Sequence, residues 1–450
     1  MRANSAAVLL VAVLVLSSLS FAVPVDSSDS FETADVARER PVGAFGDAGA
    51  PGPTRPGADP TATDPGPLAG FEPVHESGIT GEGVRVGVVG TGFATGGGQL
   101  TDAVVDSRRF AADDPGLLAD TSHDTAVAEI VHRSAPDAEL LLAGIGRDGG
   151  PDEYAAAVSW LRERGADVAV DAGSYFPASA EGWERFDETA AAATENGTAF
   201  VTSAGNYADR HWRGVGESGW LAFENDTRYN ALGEGPVSGQ VSLRLYWWGD
   251  ADYDLYLYRA DAGEDTLVAK SAANVSGGGR HTEAIDASLP SAQYYVAVEG
   301  GPEAGGTPVE LFSSRHDLSI STETGGMAAP STAEGVVAVG AVDAVTGEPR
   351  PYSSSGPALD ISAPDGAATA AAGEFYGSSA AAPLVAGTLT LMVAQNESLT
   401  PAAAQRALRG TAARSNGRLY LDAPSAVRAV DPAAPMDHVR DRANATRTGD

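Results

Sequence analysis

One segment of this 450-residue chain combines a candidate nucleophile with a site for negative charge. The segment "YGSSAAAPLVAGTLTLM" (376–392) places Ser379 between a glycine turn and the start of an apolar helix. The N-terminus of a helix offers unpaired N–H groups and positive potential, which would stabilise an oxyanion formed there. The segment therefore indicates acyl transfer on a serine, although the same residues would also make an ordinary helix cap.

Two further segments supply side chains that this chemistry needs. In "SHDTAVAEIV" (122–131), His123 lies where a helix begins, and its imidazole could take the proton of a serine. In "FVTSAGN", Asn206 follows the end of a strand, and its amide could donate a hydrogen bond to an oxyanion. Each residue also has a plain structural interpretation, as a helix histidine and as a turn-forming asparagine.

Alternating strands and helices surround these segments. Strands are predicted in "VRVGVV", the segment from Ala138 to Ile145, "ADVAVDAG", "TAFVTSAGN" and "GVVAVGAVD". Helices are predicted from about Thr125 to a stop before Pro136, in "PDEYAAAVSWLRERG" and in "WERFDETAAAATENG". Two more are predicted, from about Ala381 to Gln395 with Pro383 in its first turn, and finally from Pro401 with Thr400 as N-cap. This alternation predicts an α/β fold with a parallel sheet.

An antiparallel β-sandwich-like module interrupts the α/β pattern. Residues 213–322 alternate with period two, carry many aromatic residues and are separated by glycine-rich turns. The predicted order is a signal peptide (1–22), a flexible linker or pro-segment (23–74), the α/β domain in two parts (75–212 and 323–430) with the module inserted between them, and a disordered tail (431–450). The aromatic residues of the module are expected to lie mostly in its core, by alternation.

Charge and composition indicate the medium and exclude some functions. The chain has 61 acidic and 29 basic residues, a net charge of −32, one lysine (Lys270) and no cysteine. A nucleic-acid partner is not expected, because phosphate binding needs a basic patch. A diffuse acidic surface is typical of adaptation to high salt. The apolar stretch from Ala6 to Leu16 predicts secretion, or anchoring if it is not cleaved, with no stable membrane span after its removal.

The three segments together resemble the subtilisin-like serine proteases (subtilases). "SHDTAVA", "VTSAGN" and "GSSAAAPLVAG" occur in the order of that family's His-Gly-Thr, Ser-Ala-Gly-Asn and Gly-Thr-Ser-x-Ala-Ala-Pro-x-Val-Ala-Gly motifs. The likeness is to secreted haloarchaeal members with an inserted β domain, and it implies the subtilisin-like three-layer fold. It makes Ser379 the nucleophile, His123 the general base and Asn206 the oxyanion donor. A monomer without a required cofactor, acting on proteins or peptides, is expected.

The chain departs from the family at the catalytic aspartate. That residue belongs to an Asp-[Ser/Thr]-Gly motif after the first strand, where this chain has Gly90, Thr91 and Gly92. In a triad, the carboxylate fixes the tautomer of the histidine and stabilises its protonated form. A second departure is Asp124, where the family's His-Gly-Thr motif has glycine. The candidate active site therefore lacks its expected acid at position 90.

Three acids are candidates for the missing role: Asp120, three residues before His123; Asp124, next to it; and Asp171, at the end of a predicted strand beside the cleft. Consecutive helical residues point about 100° apart, so sequence adjacency alone does not pair Asp124 with His123. With a shifted alignment, Thr91 or a water could instead stand in the acid's place. The site could also lack any substitute for the acid.

One motif of the inserted module could bind a metal. In "WWGDADYDLYLY", Asp250, Asp252 and Asp254 alternate, so they would share one face of a strand and could bind Ca²⁺ through oxygen. The same residues could equally form a solvated acidic face. The module resembles the small β domains that accompany secreted peptidases, which suggests a role in binding substrates or surfaces.

Two functions follow as hypotheses. The first is a secreted endopeptidase that forms an acyl-enzyme on Ser379. The second is a catalytically impaired scaffold that binds peptides or surface material without turnover. Retention of His123, Ser379 and Asn206 favours the enzyme, whereas Gly90 and Asp124 favour the scaffold.

Overall fold

The computed structural model describes residues 66–94, 100–111, 121–146, 149–273 and 278–433. The helices are α1 (Glu72–Glu76), α2 (Ser122–Ser134), α3 (Pro151–Glu163), α4 (Ala180–Glu195), α5 (Ser378–Gln395), α6 (Pro401–Thr411) and α7 (Ala423–Ala429). The strands of the α/β domain are β1 (Arg85–Gly90), β2 (Val104–Arg109), β3 (Glu139–Gly144), β4 (Val168–Asp171), β5 (Ala199–Ser203), β15 (Val337–Val342), β16 (Ile361–Pro364), β17 (Ala367–Thr369), β18 (Gly373–Phe375), β19 (Ala413–Ser415) and β20 (Arg418–Tyr420).

A nine-stranded sheet forms the centre of the α/β domain. Its strand order is β19-β20-β16-β15-β5-β4-β1-β3-β2, and all pairs are parallel except β19 with β20. One apolar cluster joins one face of the sheet to α2, α5, α6 and α7. A second cluster joins the other face to α3 and α4. The structure therefore confirms the predicted α/β class and its three layers.

The parallel register brings the candidate site to one edge of the sheet. Strand β1 lies between β3 and β4, with Val89 opposite Asp171 and Gly90 opposite Gly144. Strand β5 pairs with the other side of β4 and ends at Ser203. The carboxyl ends of β1, β4 and β5 therefore lie side by side, as expected for the active edge of an open α/β sheet.

Several boundaries differ from the predicted ones. Helix α5 begins at Ser378 rather than near Ala381, which places Pro383 in its second turn. Helix α6 begins at Pro401, with the Thr400 side chain accepting from the Ala403 amide as predicted, but it is followed by α7 and is not the final helix. The periodicity of the sequence did not predict the short exposed strand β2 or the helix α7. Neither segment is long enough to show a regular spacing of apolar residues.

The α/β domain also begins earlier than residue 75. Residues 69–71 form a 3-10 helix that leads into α1, and both Phe71 and Val74 are buried in the core. Burial of these two side chains fixes the segment, so the predicted linker ends before residue 69. The predicted signal peptide, most of the predicted linker or pro-segment and the predicted tail from residue 434 onward lie outside the described residues.

The inserted module is an antiparallel sandwich of two sheets. Its strands are β6 (His211–Val215), β7 (Gly219–Trp220), β8 (Asn230–Ala231), β9 (Val237–Trp248), β10 (Tyr253–Arg259), β11 (Thr266–Ser271), β12 (Arg280–Ala292), β13 (Tyr294–Gly300) and β14 (Pro308–Ser313). One sheet has the order β12-β9-β14-β6, and the other has β11-β10-β13-β7 with β8 also on β13. Apolar side chains from both sheets fill the space between them.

The aromatic residues of the module are divided among three environments. Trp247 and Tyr253 lie in the core between the sheets, whereas Tyr256 and Tyr258 form a small cluster outside it. Tyr246 is buried against the α/β domain. Trp248 is 40% exposed. Of these six aromatic residues only Trp247 and Tyr253 lie in the core between the sheets, so the prediction that they are mostly core residues of the module is wrong.

The three alternating aspartates do not share one strand face. Gly249, with a φ of +100°, turns the chain after β9, and β10 begins only at Tyr253. Asp250 and Asp252 therefore lie in the connecting turn, and only Asp254 is in a strand, where it pairs with Lys270 at 2.9 Å. Within the described ranges no group of three potential ligands could hold a metal ion. The motif does not fit a Ca²⁺ site, and we derive no chemistry from a metal there.

One described helix, α5, is long and apolar enough to cross a membrane by length and composition. It is 83% buried inside the domain, where it packs against α2 and the sheet. Its apolar character is therefore explained by its position as the central helix of the core.

Candidate active site

His123 is the second residue of α2 and faces the edge where β1 ends. Its side chain is 43% exposed, and its ring packs edge-on against Phe375 with 5.2 Å between centroids. The ring nitrogen Nδ1 lies 2.7 Å from Oδ1 of Asp124, within hydrogen-bond distance. A proton held on Nδ1 by that carboxylate leaves Nε2 unprotonated, which is the tautomer that a general base needs.

The carboxylate of Asp124 is held in place by the turn after β1. Its Oδ2 accepts hydrogen bonds from the Thr91 amide (2.6 Å), the Thr91 hydroxyl (2.8 Å) and the Gly92 amide (3.1 Å). Its Oδ1 faces the imidazole of His123, and the residue is only 5% exposed. A buried carboxylate with all these partners is anchored in one orientation. Asp124 therefore contacts His123 as the acid of a catalytic triad would.

Gly90 provides the space for this carboxylate. A Cβ atom built on Gly90 would lie 2.4 Å from Cγ and 2.7 Å from Oδ2 of Asp124. No side chain fits at position 90 while the Asp124 carboxylate occupies that volume. The absence of a side chain at Gly90 therefore leaves the volume that the Asp124 carboxylate occupies.

The remaining candidates for the missing acid lie elsewhere. Asp120 falls outside the described residues. Thr91 does not take the place of the acid, since it donates both its amide and its hydroxyl to Asp124. Asp171 hydrogen bonds to the segment after β4 and not to His123. The sequence does contain a signal for Asp124: a glycine at position 90 and an aspartate at position 124 occur together. Each motif considered alone does not show that the two residues are related.

Ser379 is the second residue of α5 and is 6% exposed. Its hydroxyl donates to the carbonyl oxygen of Ala172, just beyond the end of β4, at 3.0 Å. Its own amide lies in the first turn of an 18-residue helix, where the helix offers no acceptor. The N-terminus of α5 therefore places a hydroxyl and an unpaired amide beside the carboxyl end of β4.

Asn206 is oriented by the residue before the candidate nucleophile. Its Oδ1 accepts from the amide of Ser378 at 2.9 Å and from the Ser378 hydroxyl at 3.0 Å. That hydroxyl also lies 2.6 Å from the hydroxyl of Ser203 at the end of β5. With Oδ1 committed, the Nδ2 group of Asn206 is the side of the amide left to donate to an oxyanion. Sequence analysis missed the orienting roles of Ser378 and Ser203.

Asp171 is a buried carboxyl group near the site with a different role. It is fully buried, and its Oδ1 accepts from the Gly173 amide at 2.8 Å and from the Tyr175 hydroxyl at 3.3 Å. Its Oδ2 and the hydroxyl of Tyr154 have no hydrogen-bond partner in the described chain. Burial raises the pKa of Asp171 to about 6; the Gly173 amide opposes this and the charge of Asp124 adds to it. Asp171 positions the segment after β4.

The raised pKa of Asp171 predicts how the stability of the protein depends on pH. Between its ordinary pKa of 3.8 and about 6, the folded protein keeps a proton that the unfolded chain releases, so stability falls as the pH rises through this window. Asp171→Asn should remove this loss, worth about 3 kcal/mol at pH 7. Chemical unfolding of both proteins at pH 4 and pH 7 measures it. An equal stability difference at the two pH values would contradict the assignment.

Part of the chain is similar in sequence to a known family. A model of the subtilase family (peptidase S8) matches residues 256–434, a range that begins inside the inserted module and contains Ser379 but not His123 or Asn206. The sequence has no match among curated proteins.

Solved structures resemble the chain over most of its length. The CspB protease of Clostridium perfringens has a TM-score of 0.58 at 15% identity, covering 81% of this chain and 98% of that one. Proteases from Pseudoalteromonas arctica PAMC 21717 match with a TM-score of 0.47 at 18% identity, covering 80% of this chain and 94% of that one. The nisin leader peptidase NisP from Lactococcus lactis matches with a TM-score of 0.45 at 14% identity, covering 77% of this chain and 88% of that one. The fold assignment depends on the first, because the other TM-scores are below 0.5. The described chain therefore has the fold of a subtilisin-like protease, and its residues 256–434, which contain Ser379, are similar to the subtilase family.

Proposed function

We propose that this protein is a serine endopeptidase whose catalytic carboxylate has moved from the end of β1 to Asp124. The observation that carries the proposal is the 2.7 Å contact between His123 Nδ1 and Asp124 Oδ1. With Nδ1 protonated toward Asp124, the Nε2 atom of His123 can accept the Ser379 proton. For this transfer the Ser379 hydroxyl must release its hydrogen bond to the Ala172 carbonyl oxygen and donate to His123 instead.

In the proposed reaction, Ser379 Oγ attacks the peptide carbonyl while His123 takes its proton. The Asn206 Nδ2 group and the Ser379 amide stabilise the negative oxygen of the tetrahedral intermediate. His123 then protonates the departing amine, the C–N bond breaks, and an acyl group remains on Ser379. Water hydrolyses that ester by the same route, with His123 again taking and returning the proton.

The second hypothesis, a non-catalytic scaffold, depended on the absence of an acid at Gly90. The hydrogen bond from His123 to Asp124 counts against it, because a scaffold has no need of an oriented imidazole. Secretion and adaptation to a salt-rich medium remain part of the proposal and are supported by the N-terminal sequence and the net charge of −32.

A fluorophosphonate tests the proposal directly, since it reacts only with an activated serine. In molar salt, we expect the wild-type protein to form a covalent adduct that peptide mapping places on Ser379, and Ser379→Ala to form none. Ser398→Ala is the control: it removes an exposed hydroxyl beyond the far end of α5, away from Ser379 and Asn206, and should still be labelled. An unlabelled wild-type protein, folded by circular dichroism, would refute the enzyme and favour the scaffold.

A further inference from the structure

The inserted module shares a core with the α/β domain at the candidate active site. The chain enters the module directly after Asn206, and the four-stranded sheet of the module packs its outer face against α4. On that face, Tyr246 lies 4.8 Å from Trp183 of α4 between ring centroids, and Phe312 belongs to the same buried cluster. The module is therefore packed on the domain and not merely tethered to it.

The segment that follows β4 begins beside the candidate nucleophile and runs toward this module. We name residues 172–177 the cleft segment. It begins at Ala172, whose carbonyl oxygen accepts the Ser379 hydroxyl, and continues past Tyr175, which forms an antiparallel bridge with Ala329. Because its first residue contacts the candidate nucleophile, a peptide bound for attack by Ser379 must lie against this segment.

Two side chains of β9 bind the far end of the cleft segment. Arg244 Nε donates to the Phe176 carbonyl oxygen at 2.9 Å. The Tyr246 hydroxyl donates to the Pro177 carbonyl oxygen at 3.0 Å. Both bonds reach backbone atoms, so they position the course of the segment whatever its side chains are.

Aromatic packing holds the same end of the segment. The Phe176 ring lies edge-on to Tyr207 with 4.7 Å between centroids, and 5.2 Å from Phe312 of β14. Tyr207 is the first residue after Asn206. The module thus contacts the cleft segment through one sheet and the oxyanion-donor segment through its connection.

The donors are themselves rigidly held. Arg244 is 8% exposed, and its two terminal nitrogens bind both carboxylate oxygens of Asp286, at 3.1 and 2.9 Å. Tyr246 is 1% exposed. Buried donors with fixed partners lose little entropy in binding the cleft segment, so they can set its position precisely.

We propose that the inserted module determines substrate selection, with Arg244 and Tyr246 as positioning residues that hold the cleft segment against the bound peptide. This inference rests on the proposed peptidase function. Substrate contacts are sensitive to small displacements, since a misplacement of 1 Å can cost about 100-fold in rate. Loosening the segment should alter KM and the preference among substrates while the reactivity of Ser379 is preserved.

The test compares Tyr246→Phe, Arg244→Lys and the double variant with the wild-type protein. Each single change keeps the bulk of its side chain and removes or misdirects one hydrogen bond to the segment. We expect the double variant to raise KM for peptides about tenfold. For two peptides that differ in the residue before the scissile bond, we expect the ratio of their kcat/KM values to change about threefold or more. Labelling by diisopropyl fluorophosphate, too small to reach Phe176, should stay within about twofold.

Tyr295→Phe is the matched control. It removes a 2.9 Å hydrogen bond to Asp265 in the other sheet of the module, away from the cleft segment. If the double variant and Tyr295→Phe have the same ratio of kcat/KM for the two peptides, the inference about the module is wrong. The proposed peptidase function is then still supported by the labelling of Ser379.

Hydrogen exchange separates this inference from the proposed function. The amides of residues 173–176 should exchange faster in the double variant than in Tyr295→Phe, whether or not the protein hydrolyses peptides. Unchanged exchange overturns the inference independently of catalysis, whereas failure of the wild-type protein to be labelled overturns the proposed function.

Discussion

Replacing Asp124 with asparagine is expected to lower kcat by about 10⁴-fold with little loss of stability. The asparagine oxygen can still accept from the Thr91 and Gly92 amides, so the side chain keeps its place. Its amide group then faces His123 Nδ1 and donates to it, which leaves the proton on Nε2. In that tautomer His123 cannot accept the proton of Ser379, and the protonated imidazole loses its counter-charge.

The control for this variant is Asp137→Asn. Asp137 is exposed just beyond the end of α2, so its change removes the same charge close to the same helix without touching His123. Initial rates on a peptide amide in molar salt, with circular dichroism to check the fold, measure the effect. Rates for Asp124→Asn that match those of Asp137→Asn would show that Asp124 has no part in catalysis.

Introducing aspartate at position 90 is expected to inactivate the protein, although aspartate is the residue of the subtilase motif that this segment resembles. The new Cβ would lie 2.4 Å from Asp124 Cγ, and β1 cannot move aside because it is paired on both edges. Gly90→Asp should therefore displace the Asp124 carboxylate from His123 and destabilise the fold by about 1–3 kcal/mol or more. Two carboxylates in one buried site add repulsion to this steric cost.

The reciprocal exchange should recover activity. In Gly90→Asp/Asp124→Gly, a single carboxylate again occupies the space beside His123, now reached from the end of β1. We expect the double variant to exceed each single variant by about 100-fold in kcat/KM, a coupling of about 3 kcal/mol. Additive losses would mean that the two positions do not share one volume. The four proteins form a double-mutant cycle, measured with the same peptide and with unfolding curves.

The proximity of Gly90 and Asp124 could not be predicted from the sequence, because it is a contact between distant parts of the chain. The end of a strand and the first turn of a helix, 34 positions apart, lie so close that a Cβ atom added to Gly90 would overlap the Asp124 carboxylate. Neither residue alters the apolar period of its own element, so no local pattern registers the pairing. Two neighbouring residues of a helix usually diverge, yet here the anchoring of Asp124 by the turn after β1 holds its carboxylate against His123.

The sequence by itself determined the α/β class, the inserted β module and the three segments that carry His123, Asn206 and Ser379. These features follow from periodicities of 3.6 and 2 residues and from glycine and proline punctuation, all of which act within a short stretch of chain. Only the tertiary structure shows which carboxylate hydrogen bonds to the imidazole of His123. Only the tertiary structure shows, too, that Arg244 and Tyr246 of the module hydrogen bond to the cleft segment. The hydrogen bonds that orient Asp124 and the cleft segment join distant elements, and their geometry exists only once the sheet has brought the ends of its strands together.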